Sequence, residues 1–271
     1  MVKWARMNLQ RTQVRGSILE YYLGPKEDAD TIVFVHGLGA HLKQFARQFD
    51  YFGDRFQILA LNMVGHGASQ SKGPFDLASC AQNIIDLLDA LNLDKVHYVG
   101  NSMGGNIGLE LLTSYEHRLH SLTTFGTTGE LNTSVPAAIF LRTVYRFLPI
   151  SLIAKLASTS GCNKDSKHII KTMMSQMDRQ TILANISVLS NFNYLESIRV
   201  SQVPFLLIKG EYDLEINDSL LSTLDLLEKR GNANIVNLKG VGHFSNLDAP
   251  EQFSATLAAF LKTVVDTRED P

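Results

Sequence analysis

The stretch KVHYVGNSMGGNIG, residues 95–108, passes from a β-type segment into a helical one through the pattern G-x-S-x-G. Gly100 and Gly104 leave room for a sharp strand-to-helix turn, which lifts the Ser102 hydroxyl to the end of a sheet. The same turn brings the Met103 N–H to the amino end of a helix, where unpaired donors and the helix dipole favour negative charge. The stretch therefore predicts a nucleophilic serine beside half of an oxyanion hole.

A second glycine-containing loop follows an earlier apolar run. Residues Thr31–His36 are mostly β-branched or aromatic and lead into Gly37-Leu38-Gly39, where the backbone can turn its N–H groups toward a ligand. We expect the Leu38 N–H to be the second oxyanion donor, beside that of Met103. Removing one such donor from a comparable site costs roughly 2.7 to 4 kcal/mol of transition-state stabilisation.

The nucleophile needs a base, because a serine hydroxyl is poorly reactive near neutral pH. Among eight histidines, His243 lies in a glycine-bracketed loop that follows the predicted strand at residues 234–238. Asp213 comes just after another predicted strand and is the expected carboxylate that orients the imidazole. The alternatives for that role are the nearby acids Glu211, Glu215 and Asp218. Ser, Asp and His in that chain order, each after a separate strand, predict a catalytic triad.

Short apolar runs alternate with segments of helical period, a pattern typical of a mostly parallel sheet covered by helices. The predicted strands are Trp4–Gln10, Ser17–Leu23, Thr31–His36, Gln57–Leu61, Val96–Val99, Ser121–Phe125, Pro204–Ile208 and Asn234–Leu238. Helices are expected after Asp76, near Ser219–Lys229 and from Pro250 onward. The fold class is therefore α/β, with a core formed by residues 1–129 and 196–271.

An insert at residues 130–195 interrupts this alternation, because helical segments dominate there and the strand signal disappears. From Leu131 to Lys164 the chain has no Asp or Glu, whereas it has the basic residues Arg142, Arg146, Lys155 and Lys164. Apolar side chains are frequent in the same stretch, so it could line an acyl pocket, pack internally or contact an anionic membrane surface. We expect a helical cap over the core, and its role stays open between these three.

The composition is ordinary for a globular protein, with 271 residues, 45% hydrophobic, 19% charged and a formal net charge of −2. This balance creates no field that would attract nucleic acid, and it does not indicate an oligomeric state. Cys80 and Cys162 show no CxxC spacing and the amino terminus has no signal-peptide core, so a cytoplasmic protein is expected. The motifs for zinc, phosphate-loop and dinucleotide binding are missing from the sequence, so we expect neither a metal nor a cofactor.

Five segments together resemble the α/β-hydrolase superfamily over essentially the whole chain. They are His36-Gly37-Leu38-Gly39, Gly65-His66-Gly67-Ala68-Ser69, Gly100-Asn101-Ser102-Met103-Gly104-Gly105, Gly210-Glu211-Tyr212-Asp213 and Gly242-His243-Phe244. The resemblance implies an eight-stranded, mostly parallel sheet flanked by helices, with its second strand antiparallel and a helical cap inserted after the sixth strand. It also implies a triad of Ser102, Asp213 and His243, and a structural role for His66 at the pocket rim.

Within that superfamily the chain is similar to cofactor-free carboxylesterases. We therefore expect a serine hydrolase acting on a small carboxylic ester of short to medium acyl chain, with Gly37, Asn101, Phe140 and Phe244 contacting the substrate. Carbon–carbon bond hydrolases have a similar elbow, but they usually carry Gly-Pro-Gly in the oxyanion loop and Trp after the histidine, where this chain has Ala40-His41 and Phe244. A lactonase and a slow-turnover binding or signalling protein on the same scaffold are further alternatives.

Overall fold

The computed structural model describes residues 8–71, 73 and 75–269. The strands are β1 (Gln10–Val14), β2 (Ser17–Leu23), β3 (Thr31–Val35), β4 (Gln57–Leu61), β5 (Gln70–Ser71), β6 (Val96–Asn101), β7 (Leu119–Phe125), β8 (Glu130–Asn132), β9 (Asn191–Asn193), β10 (Phe205–Gly210) and β11 (Ala233–Leu238). The helices are α1 (Ala46–Phe52), α2 (Leu77–Ala90), α3 (Met103–Ser114), α4 (Val135–Phe147), α5 (Ile150–Ala157), α6 (Lys164–Met174), α7 (Arg179–Leu189), α8 (Leu195–Val200), α9 (Leu214–Asn217), α10 (Leu221–Glu228), α11 (Ser245–Asp248) and α12 (Pro250–Glu269).

The central sheet has the strand order β1-β2-β4-β3-β6-β7-β10-β11. Strand β2 is antiparallel to both of its neighbours on this path, β1 and β4. From β4 to β11 every pairing is parallel. The predicted eight-stranded, mostly parallel α/β sheet with an antiparallel second strand is confirmed, and the two-residue β5 extends it beside β2.

Helices cover both faces of this sheet, which is why its central strands β3, β4, β6 and β7 are buried along almost their whole length. Successive side chains of β3 alternate between two cores. Ile32 and Phe34 pack in a cluster that includes residues of α1 and α12. Val33 and Val35 pack in the opposite cluster, which includes residues of α2 and α3. The sheet is therefore a rigid platform whose strand ends can present side chains at one edge.

The first strand differs from its prediction. It begins at Gln10 rather than at Trp4, and residues 4–7 of the predicted strand lie outside the described residues. Arg15 and Gly16 both have positive φ, 40° and 82°, and join β1 to β2 in a two-residue hairpin. The segment Gln10–Val14 is mostly polar because it forms the sheet edge, so it carries little apolar signal.

The segment between β7 and β10 contains α4 to α8 and also two short strands for which the sequence shows no signal. Strands β8 and β9 pair antiparallel and bracket the first four of these helices. Each strand has only three residues, so neither shows a period that a sequence can reveal. Among the described helices, none combines the length and the apolar character that crossing a bilayer requires.

Candidate active site

Ser102 stands on a strained turn between β6 and α3. Its φ of 51° and ψ of −117° are unfavourable for a residue with a side chain. A Cβ on Gly100 would lie 2.3 Å from the Gly104 carbonyl oxygen, and a Cβ on Gly104 would lie 2.2 Å from the Val35 oxygen. The turn is tied down because the Ser102 N–H donates to the Phe125 carbonyl at 3.0 Å. The glycines of the motif are thus required by close backbone packing.

Asp213 and His243 meet at the carboxyl ends of the neighbouring parallel strands β10 and β11. His243 Nδ1 is 3.1 Å from each carboxylate oxygen of Asp213. The Asp213 side chain is 4% exposed and the His243 side chain 17% exposed, so the contact is shielded from water while part of the ring stays accessible. Of the alternative acids, Glu211 instead accepts from the Gly240 N–H at 2.8 Å. The geometry favours Asp213 as the partner of the imidazole.

The His243 loop packs directly against the elbow that carries the serine. Asn101, the residue before Ser102, donates its side-chain amide to the His243 carbonyl at 3.2 Å. A Cβ on Gly126, which follows β7, would lie 2.9 Å from the Asn101 amide nitrogen and 3.0 Å from His243 Nδ1. The imidazole therefore lies over the end of the strand beside the elbow, at the same sheet edge as the serine.

The loop after β3 lies against the same turn. A Cβ on Gly37 would lie 3.0 Å from the Asn101 side-chain oxygen and 3.3 Å from the Ser102 Cβ. Leu38 is half-buried beside it, and Met103 is fully buried at the start of α3. The Asn106 N–H donates to the Ser102 carbonyl at the start of α3. The Met103 N–H lies before this bond, in the first turn, where N–H groups have no acceptor within the helix.

Two buried histidines hold the backbone of the loops after β3 and β4 in place. His66 Nε2 accepts from the Gly39 N–H at 3.0 Å, and His36 Nε2 accepts from the Met63 N–H at 3.1 Å. Each ring donates its Nδ1–H to a backbone carbonyl, so both tautomers are set by the backbone. Burial lowers the pKa of His66 to about 4 and holds the pKa of His36 well below its usual value. Both rings are therefore neutral acceptors at physiological pH.

A network of buried amides behind the elbow was missed by the sequence interpretation. Gln44 donates to the Asn101 side-chain oxygen at 2.9 Å, and Asn246 donates to the Gln44 carbonyl at 3.0 Å and to the Gln48 side chain at 3.2 Å. All four of these residues are fully buried. The available signal was the spacing of Gln44 and Gln48, which lie four residues apart among buried phenylalanines.

The four residues predicted to contact the substrate occupy different environments. Gly37 adjoins Ser102, and Phe244 is buried with its ring 5.3 Å from that of His243. Asn101 has its side-chain amide and oxygen engaged by protein partners, so it positions loops and has no free group for a ligand. Phe140 is largely exposed on α4.

Comparisons with known proteins agree with this architecture. Residues 30–150 match a family model described as alpha/beta hydrolase fold. The 3-oxoadipate enol-lactonase 2 of Acinetobacter baylyi is 24% identical over 261 residues, covering 90% of this chain and 93% of that protein. The solved enol-lactonase from Burkholderia xenovorans LB400 has a TM-score of 0.83 at 22% identity, covering 93% of this chain and 100% of that chain. A thermophilic esterase from Thermogutta terrifontis, with malate bound, has a TM-score of 0.82 at 19% identity, covering 95% of this chain and 99% of that chain.

Proposed function

Because the chain has the alpha/beta hydrolase fold, we propose that it hydrolyses carboxylic esters through an acyl-enzyme on Ser102. His243 serves as the base and Asp213 as the carboxylate that orients it. The observation that carries this proposal is the shielded Asp213–His243 contact at 3.1 Å, held against the loop of a strained serine. A binding protein would need neither the strain nor this alignment.

The proposed cycle uses only groups of this chain and water. Ser102 Oγ attacks the carbonyl carbon as its proton passes to His243 Nε2, and the carbonyl electron pair becomes an oxyanion held by the N–H groups of Leu38 and Met103. The imidazolium then protonates the leaving alcohol as the C–O bond breaks. Water attacks the acyl-enzyme, gives a proton to His243 and releases the acid, and that proton returns to Ser102.

The surroundings of the oxyanion loop favour an apolar acyl group. Buried side chains of the cap, including Met174 and Ile182, pack in one cluster with Ala40 and Phe244, and Leu38 packs against them. Such a wall excludes water from the acyl-enzyme and rewards apolar contact. We expect p-nitrophenyl butyrate to be cleaved faster than p-nitrophenyl acetate, and equal rates would argue against an apolar acyl site.

A lactone is the second candidate substrate, because the 24% identical relative that covers 90% of this chain is named an enol-lactonase. A lactone is a cyclic ester, so the same attack opens the ring and the leaving alcohol stays attached to the product. A panel of linear esters and lactones of graded acyl length separates these two substrate classes by kcat/KM.

Ser102→Ala tests the proposal itself. The variant should lose hydrolysis of every substrate in the panel and escape labelling by a fluorophosphonate, while wild type is labelled. If wild type is labelled but cleaves neither esters nor lactones, a carbon–carbon bond hydrolase becomes the better proposal. If wild type is not labelled, the serine is not activated and the scaffold serves binding.

A further inference from the structure

Several large apolar side chains of α4 are exposed to solvent. Phe140 is 70% exposed and Phe147 73% exposed, and Val135 and Ile139 are exposed to a similar degree. No residue of α4 is buried, although the helix is rich in apolar residues. A monomer in water rarely leaves several large apolar side chains together at its surface, so this surface is suited to an apolar partner.

Cations border these apolar side chains. At 100° per residue, Val135 and Ile139 lie on the same outward side of α4 as Arg142 and Arg146, with the two phenylalanines beside them. The Arg146 guanidinium lies 5.7 Å from the centre of the Phe147 ring. None of the ion pairs among the described residues involves either arginine. Arg142 Nη1 donates to the Ser187 hydroxyl of α7 at 3.5 Å, a neutral partner that leaves the charge uncompensated, so both arginines can attract an anionic partner.

The acid-free stretch from residue 131 to 164 makes this helix unlike the rest of a chain whose formal net charge is −2. On the neighbouring helix α5, exposed Leu156 follows Lys155 and continues the same combination of apolar and basic groups. Exposed aromatic and aliphatic side chains with arginine and lysine, and without carboxylates, match the interface of a bilayer that contains anionic lipid. A protein groove that takes a helix selects apolar contacts but does not require the absence of acids.

We propose that the outward side of α4, formed by Val135, Ile139, Phe140, Arg142, Arg146 and Phe147, is a docking surface for anionic membranes. The apolar side chains enter the headgroup–acyl boundary and the arginines pair with lipid phosphates. The helix α4 packs on α7, and Thr181 of α7 contacts Gly65 beside the oxyanion loop. Docking thus places a lipid surface on the outer layer of the cap. The proposal does not depend on which reaction the enzyme catalyses.

Co-sedimentation with vesicles tests the proposal without using activity. We expect the full chain to bind vesicles of phosphatidylcholine with about 30 mol% phosphatidylserine, and to bind pure phosphatidylcholine far less. Raising NaCl from about 0.1 M to about 1 M shortens the Debye length from roughly 10 to roughly 3 Å and should release most of the protein. The Ser102→Ala variant should bind as wild type does, so failure of the hydrolytic proposal leaves this result intact.

Substitutions on α4 distinguish binding through this surface from nonspecific binding to vesicles. Arg142→Gln/Arg146→Gln should weaken binding on the order of 25-fold, since each cation near an anionic surface is worth about fivefold. Phe140→Ser/Phe147→Ser should weaken it by an order of magnitude or more. The matched controls are Arg47→Gln/Lys262→Gln for charge and Leu221→Ser for exposed apolar area, all on the core, and these should bind as wild type does. Equal loss in the controls would overturn the proposal. So would a wild-type chain that ignores vesicles and instead dimerises through α4, detected by sedimentation velocity and abolished in the phenylalanine variant.

Discussion

The proposed mechanism depends on the side-chain contact between Asp213 and His243. The Asp213 side chain is 4% exposed, and both of its carboxylate oxygens lie 3.1 Å from Nδ1 of the His243 ring. In the proposed mechanism this carboxylate selects the tautomer that can accept a proton at Nε2 and stabilises the imidazolium.

Asp213→Asn should therefore lower kcat for the preferred ester by roughly 10⁴-fold with little change in KM, because the amide favours the wrong tautomer. The measurement is a steady-state comparison with Glu211→Gln, whose carboxylate contacts the Gly240 N–H instead. Retained activity in Asp213→Asn together with a large loss in Glu211→Gln would transfer the orienting role to Glu211.

His66 holds the loop after β3, the proposed oxyanion loop, through the hydrogen bond that its Nε2 accepts from the Gly39 N–H. His66→Leu leaves that N–H without an acceptor at a cost of about 1 to 3 kcal/mol. We expect kcat of His66→Leu to fall about tenfold or more, with a smaller change in KM. His66→Gln keeps an acceptor for the Gly39 N–H and should recover part of the lost kcat. The exposed His168→Leu is the control. A lowered Tm with unchanged kcat in His66→Leu would mean that the ring only stabilises the fold.

At the scale of elements, one side chain of α7 contacts several carbonyl groups at the end of α4. Arg179 donates from Nη1 to the Arg146 carbonyl and from Nη2 to the Leu148 carbonyl, each at 2.8 Å, and also reaches the Tyr145 carbonyl. These carbonyls end the helix and have no intrahelical partner, and a cation there also complements the helix dipole.

Arg179→Met should therefore loosen α4 while the core stays intact, because hydrogen bonds to a charged donor are worth about 1.5 to 3 kcal/mol each. Hydrogen–deuterium exchange should become faster in residues 135–148 and stay unchanged in α2. Arg199→Met, which breaks only an exposed pair with Glu196, is the control and should leave both segments as in wild type. Unchanged exchange in residues 135–148 would show that α4 is held by its apolar contacts alone.

At the scale of the whole molecule, buried histidines link stability to pH. Burial lowers the pKa of His36, His66 and His97, so each is neutral in the fold and takes up a proton more readily when unfolded. Their contribution to the free energy of unfolding is complete above about pH 6.5 and is lost as the pH falls. For His66 the loss continues down to its pKa of about 4. The neighbouring His97 ring, together with the hydrogen bond and charge of Arg268, holds the pKa of Asp30 below its usual value, so the contribution of Asp30 is lost at still lower pH.

The free energy of unfolding should accordingly be level from pH 8 to 7 and fall steeply between pH 6.5 and 4. His66 alone accounts for about 3 kcal/mol of that fall, because burial lowers its pKa from the usual value of a histidine to about 4. Urea titrations at several pH values measure it, with activity followed in parallel after return to pH 7.5. A stability that is level down to pH 4.5 would contradict the neutral, buried state of these rings.

Local patterns in the sequence were sufficient for the α/β alternation, the serine elbow, the glycine loop after β3 and the order of Ser102, Asp213 and His243 along the chain. A strand's apolar run and a turn's glycines are requirements of the segment itself, so they are visible without knowing its neighbours. The docking of the His243 loop on Asn101 at 3.2 Å, across 142 residues, required the tertiary structure.

The tertiary structure alone decided the buried amide network, the β8–β9 pairing and the outward direction of Phe140. Gln44 and Asn246 are 202 residues apart, and the polarity of an amide does not tell which partner will satisfy it in the interior. Apolar residues on α4 predict burial because water is a poor solvent for them, but only the packing of α4 on α7 determines which side is covered. The reason is general: a sequence encodes which groups need partners, whereas the assembled fold determines which partners are within reach.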